Sequence, residues 1–161
     1  MKRFFALLLT IALVFTLAAC ATEPEGSKKE RKRSTEVDAV VFSIYINYNP
    51  EVQSSTLSAE TIRDIITSTN SINQYASVVL AKHQLESITI PSAEELKEKT
   101  YVTSTENSDV IQIGVALEDQ QLAMYIADAM TEVIPKVICE TIEGTSTRIV
   151  DSAHIGTITV E

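Results

Sequence analysis

The twelve residues from Val37 to Tyr48, VDAVVFSIYINY, place Val40, Phe42, Ile44, Ile46 and Tyr48 at every second position. Successive side chains of an extended strand point to opposite faces, so this alternation predicts a strand with one apolar face, closed by Asn49-Pro50. Such a face has to be covered, and the rest of the chain offers the cover. Ser58 is placed to cap a helix beginning near Ala59, with Ile62, Ile65, Ile66, Ile72, Tyr75, Ala76, Val79 and Leu80 at helical spacing. The polar patch Thr67 to Ser71 leaves two outcomes open, one long helix or two helices meeting there with Ser71 as the second cap. Ser92-Ala93-Glu94-Glu95 reads as a capping box ahead of a short helix through Lys99.

Tyr101 to Ser104 and Val110 to Val115, separated by Glu106-Asn107-Ser108-Asp109, read as an antiparallel hairpin. After Asp119, residues Leu122, Ile126, Ala129, Met130, Val133 and Ile134 are again helically spaced. Pro135 lacks a backbone donor, which predicts a kink or restart there before an end near Gly144. A last strand, Thr147 to Asp151, precedes a tail from Ser152 to Glu161. The expected fold is α+β: a small mixed or antiparallel sheet of about four strands with helices on one face, including a long C-terminal helix interrupted at Pro135.

The N-terminal residues carry a different message. Phe4 to Ala19 is an uncharged run of sixteen residues behind Lys2-Arg3, just short of the roughly 18 needed to span a bilayer. Basic start, apolar middle and small residues before the cut describe a secretory signal peptide. The order Leu17-Ala18-Ala19-Cys20 resembles the lipobox of bacterial lipoproteins, which implies a diacylglyceryl thioether on Cys20 as the new N-terminus. The competing reading is an uncleaved anchor with an incidental cysteine. Two acyl chains hold a protein stably on a bilayer, at about 0.8 kcal/mol per buried methylene. The expected organisation is therefore a signal peptide over 1–19, a basic flexible tether over 20–35, and one domain over 36–161 on the extracytoplasmic face of the cell membrane.

Charge divides at the same place. Lys28, Lys29, Arg31, Lys32 and Arg33 crowd the tether, whereas six basic residues face nineteen acidic ones beyond Ser34, a net of −13. Phosphate backbones are bound by basic faces, which argues against nucleic acid as a partner. The basic run is within reach of anionic headgroups, worth about 1 kcal/mol per charge, or else is a solvated spacer.

No catalytic, cofactor-binding or metal-ligating set emerges. His83 and His154 lack partners at ligand spacing, and no phosphate loop, nucleophile elbow or Cys-His signature occurs. Glu94-Glu95 and Glu118-Asp119 stand at helix starts, where the dipole favours negative charge. Cys139, beside Ile138 in a helical stretch, is expected to be a buried small hydrophobe. A non-enzymatic role is the expectation.

Four groups of residues then resemble the extracytoplasmic domain of the chain-length determinant family, the Wzz-type polysaccharide co-polymerases, in the form of Gram-positive capsule systems. Glu95-Leu96 precedes Val102-Thr103-Ser104. Glu106-Asn107 precedes Val110 to Ile113. Ala123, Ile126, Ala127 and Asp128 stand where the family has A-x-x-I-A-N, and Ile149-Val150-Asp151-x-Ala153 closes the match. The likeness runs from Ile90 to Ala153. It implies a membrane-anchored homo-oligomer that assists capsule or exopolysaccharide biosynthesis, with a polymerase or the glycan itself as partner. Asp128 replaces the customary Asn, no Pro follows Asp119, and a lipobox stands where the family has its first transmembrane helix. The expected form is a lipoprotein lacking the second transmembrane helix and any coupling to a cytoplasmic kinase. The alternative is a lipid-anchored module that binds a solute or a protein and has no link to polysaccharide.

Overall fold

The computed structural model describes residues 34–49, 51, 58–84, 89–104 and 108–160. The apolar run 4–19 and the turn residues 105–107 lie outside them. The elements are β1 (Thr35–Tyr48), α1 (Ala59–Ile66), α2 (Thr69–His83), α3 (Ala93–Lys99), β2 (Thr100–Ser104), β3 (Val110–Val115), α4 (Gln120–Thr141) and β4 (Thr145–Val160). The strands form one antiparallel sheet in the order β2-β3-β1-β4. This is a β-α-β-β-α-β plan with three helices in its first crossover, an α+β fold.

The alternation in β1 does what its period requires. Val40, Phe42, Ile44 and Ile46 are buried, and their partners across β3 are Val115, Ile113 and Ile111 for the first three. The helices lie on this face, where Ile62 and Ile66 of α1, Tyr75 and Val79 of α2, Leu96 of α3 and a long stripe of α4 complete the main core. That stripe (Ala123, Ile126, Ala127, Met130, Val133, Ile134, Val137, Ile138) recurs every three or four residues, so a single helical face supplies it.

Pro135 sits inside α4, and the helix continues through it to Thr141. Buried Ile134, Val137 and Ile138 hold the turns on both sides, and the Pro135 carbonyl accepts from Thr147 Oγ1 at 2.9 Å. Core packing thus outweighs the lost donor. The chain leaves the helix by way of Gly144, whose φ of 75° suits a residue without a side chain.

Two helices, rather than one, follow β1, and the second cap is Ser68, not Ser71. Ser68 Oγ accepts from the Ser71 amide at 3.3 Å, while Ser71 lies buried inside α2 and donates from its hydroxyl to the Ile65 carbonyl at 2.8 Å. The structure therefore distributes the polar patch over both helix ends. Tyr75 locks the same junction by donating from its phenol to Ile66 O at 2.7 Å, and burial pushes its ionisation well above the usual phenol range. Ser68→Ala is expected to cost about 1 kcal/mol, the usual worth of such a cap, as a lower midpoint in urea with unchanged slope. Ser92 caps α3 as expected, accepting from the Glu95 amide at 3.2 Å.

The C-terminal residues depart most from expectation. Ser152 onward is strand, not tail, and β4 runs from Thr145 to Val160. The cause is the length of β1. Its residues Thr35–Ala39 extend beyond the register with β3, which starts at Val40↔Val115, and β4 alone supplies their partners, from Thr35↔Val160 to Ala39↔Gly156. Two register shifts between Val41 and Ile44 leave extra residues in β4, where a bulge bends a strand and sharpens its twist. On the face away from the helices, Ile158 reaches across Ala39 toward β3. A Cβ on Gly114 would lie 2.9 Å from Ile158 Cγ2, so glycine there makes room for the crossing. Ala39, Val41 and Ile158 form a second small core with Val37, Tyr101 and Ala116 around them.

Candidate functional site

The residues singled out for membrane attachment, Cys20 and the basic set Lys28, Lys29, Arg31, Lys32 and Arg33, lie outside the described residues. The other singled-out side chains are dispersed. His83 ends α2 and stacks on Tyr125 of α4, ring centroids 3.8 Å apart. His154 lies on β4, with Nδ1 2.9 Å from Ser152 O. Cys139 is exposed rather than buried. One position past Ile138 is a rotation of about 100° round a helix, which carries the thiol off the core stripe. Its Sγ lies 3.5 Å from Thr147 Oγ1. The thiol is expected to react with a soluble disulfide reagent in the native protein as fast as in denaturant. Strong native protection would contradict its exposure.

Among the described residues, no group of three His, Cys, Asp or Glu is placed to hold a metal ion, and no helix is long and apolar enough to cross a membrane.

What the tertiary structure does build is a cleft. Where β1 outruns β3, the strands part from the first turn of α4 and enclose about 470 Å³. Val40, Val115 and Ala123 form an apolar floor, and Asp38, Glu118 and Gln120 supply polar groups, with Ile155 of β4 beside them. Ile155 is 60% exposed. The amides at the start of α4 are already engaged: Asp119 Oδ1 accepts from Gln121 N–H at 2.9 Å and Leu122 N–H at 3.1 Å. With those donors taken, and with two carboxylates and no Lys or Arg among the described residues that line it, the described part of the cleft repels anions. Among its described lining residues the cleft has no hydroxyl, thiol or imidazole side chain. It suits a neutral or cationic group with an apolar body. No sequence motif marks it, because its described lining is assembled from three stretches far apart in the chain, Asp38–Val40, Val115–Ala123 and Ile155–Gly156, made of ordinary residues.

Charged contacts elsewhere fasten helices. Lys82 of α2 reaches Asp128 at 2.7 Å and Glu132 at 2.5 Å on α4. Its ammonium is held above its ordinary pKa, first by the hydrogen bond to Asp128 and then by Glu132. Lys97 of α3 meets Asp64 of α1 at 2.8 Å, and that hydrogen bond lowers the Asp64 pKa. A depressed carboxyl contributes stability above its unfolded pKa and loses it as the pH falls through the folded value. Asp64→Asn is therefore expected to melt slightly below the native protein at neutral pH and to match it in strong acid, where both side chains are neutral. The pair is half-exposed, so the difference is small.

No family model, curated protein or solved structure matches the chain. Of the described residues that carry the likeness to chain-length determinants, Leu96, Ile111, Ile113, Ala123, Ile126 and Ala127 are buried, whereas Glu95, Ser104, Val150 and Asp151 are exposed. Asp128, in the customary Asn position, serves here as the partner of Lys82.

Proposed function

We propose that this chain is a lipoprotein of the extracytoplasmic membrane face, anchored through Cys20, whose acidic domain is a non-enzymatic, oligomeric scaffold in capsule or exopolysaccharide assembly or export. The observation that carries the anchor is the order Leu-Ala-Ala-Cys at the close of an apolar run too short to span. The polysaccharide role rests on the Ile90 to Ala153 likeness. Its residues fall in one unbroken succession of elements, α3, β2, β3, α4 and the first part of β4, which is compatible with one inherited half of a domain. The charges of Lys28, Lys29, Arg31, Lys32 and Arg33 would then attract anionic headgroups, which the net negative charge of the domain disfavours.

The cleft favours a second reading, a lipid-anchored module that binds a small neutral or cationic solute. Deleting the gene in the native host and resolving surface polysaccharide by length on a gel separates the two. The scaffold reading expects a shifted length distribution, restored by the native chain. An unchanged distribution, with a monomeric protein that retains a small solute through purification, overturns it in favour of the module.

A further inference from the structure

The apolar face of β1 stops at Val40. Ile46, Ile44, Phe42 and Val40 occupy the core face, and the next position on that face is Asp38. β3 gives Asp38 no partner, because their register begins at Val40↔Val115. On its other side Val40 pairs with Ile155 of β4, and directly opposed residues share a face, so Ile155 extends the apolar floor beyond the core. It is 60% exposed, one of two large hydrophobic side chains so exposed among the described residues. Glu118 stands in the opposite wall, just ahead of the first turn of α4. An apolar strip crossing three strands, Val115, Val40 and Ile155, is thus bordered by exposed carboxylates from two different elements.

We propose that the cleft holds a small organic cation, an ammonium group on an apolar body, with Asp38 and Glu118 taking the charge and the strip taking the body. This rests on the solute-binding reading of the cleft and narrows it, and it is independent of the anchor and of the scaffold role. Charge selects the ligand. The two carboxylates are the charged groups among the described lining residues, Gln120 adds a neutral acceptor, and the first amides of α4 already donate to Asp119. A cation gains from both acids, whereas a neutral body of the same shape gains from neither. A bare metal ion is poorly served, since among the described residues no three ligating side chains come together and an apolar floor offers it nothing. The volume of about 470 Å³ falls within the range of small-molecule pockets, about 300–1,000 Å³.

The test follows amide chemical shifts of the full lipidated chain in neutral-detergent micelles with hexylamine, hexanol and hexanoate, probes that differ only at the polar end. Hexylamine is expected to move the amides of Asp38–Val40, Val115–Leu117 and Ile155–Gly156 saturably, with a dissociation constant on the order of 1 mM. Hexanol should bind about tenfold more weakly or less, and hexanoate should leave those amides unmoved. Asp38→Asn and Glu118→Gln should each weaken hexylamine about threefold and together about tenfold, the scale of exposed ion pairs, with hexanol unaffected. Both acids are exposed, so the variants keep the fold. Glu143→Gln removes an equal charge past the far end of α4, a helix about 33 Å long, and should change nothing. Ile155→Ala should weaken hexylamine but not methylamine, which has no body to bury. Equal losses from all three acid variants reduce the effect to general attraction by a domain of net −13 and overturn the site. Hexanol binding as tightly as hexylamine overturns the cation and leaves a neutral pocket. Cleft amides that ignore every probe overturn both, and a response that then appears once Lys28, Lys29, Arg31, Lys32 and Arg33 are exchanged for Gln gives the cleft to the chain's own basic segment. The scaffold reading stands or falls separately, on polysaccharide length.

Discussion

Phe42→Ala is expected to destabilise the domain by about 3–5 kcal/mol, the range for removing a buried aromatic ring from a core that relaxes only in part. The ring is fully buried in the middle strand, paired with Ile113 and facing the helices. Domains of this kind are stable by only about 5–15 kcal/mol, so the change removes a large share of the total. The melting temperature should fall on the order of 10–20 °C. Ile155→Ala is the control: its side chain is 60% exposed and should cost less than about 0.5 kcal/mol. Thermal melts of both variants followed by circular dichroism decide the matter. A Phe42→Ala protein melting within a few degrees of the native one contradicts the place given to β1 at the centre of the core.

Cys20→Ser is expected to abolish lipid attachment outright. A thioether to diacylglycerol needs the sulfur nucleophile, and a serine hydroxyl is a far weaker one. The native chain should incorporate labelled fatty acid and, by mass, begin at Cys20. The variant should carry no label and retain residues 1–19. The loss is large because two acyl chains together supply anchoring that no surface contact of the basic segment matches, at about 1 kcal/mol per charge. A native protein of full length with an unmodified Cys20 would remove the basis for placing the domain outside the membrane.

Legibility in the sequence followed the range of the interaction. The apolar face of β1, the α4 stripe and the caps at Ser58 and Ser92 are local patterns, each written within a turn or two, and all are present in the structure, whereas the cap at Asp119 emerged only there. Ser68 displaced Ser71 as a cap because either serine satisfies the local rule, and only the approach of the Ile65 carbonyl distinguishes them. Cys139 was misplaced by a single helical step. His154, expected in a tail, became part of a strand once β1 proved long enough to require a partner there.

By itself the sequence determined the kind of elements, their order, the α+β class and the division of charge between the N-terminal segment and the domain, since periodicity, capping and composition are properties of neighbouring residues. Tertiary structure alone decided that β4 runs sixteen residues to Val160, that α4 passes through Pro135, that Gly114 yields to Ile158, and that Asp38, Glu118 and Ile155 share a cleft. Each of those joins residues distant in the chain, where burial and strand pairing outweigh what any short stretch prefers.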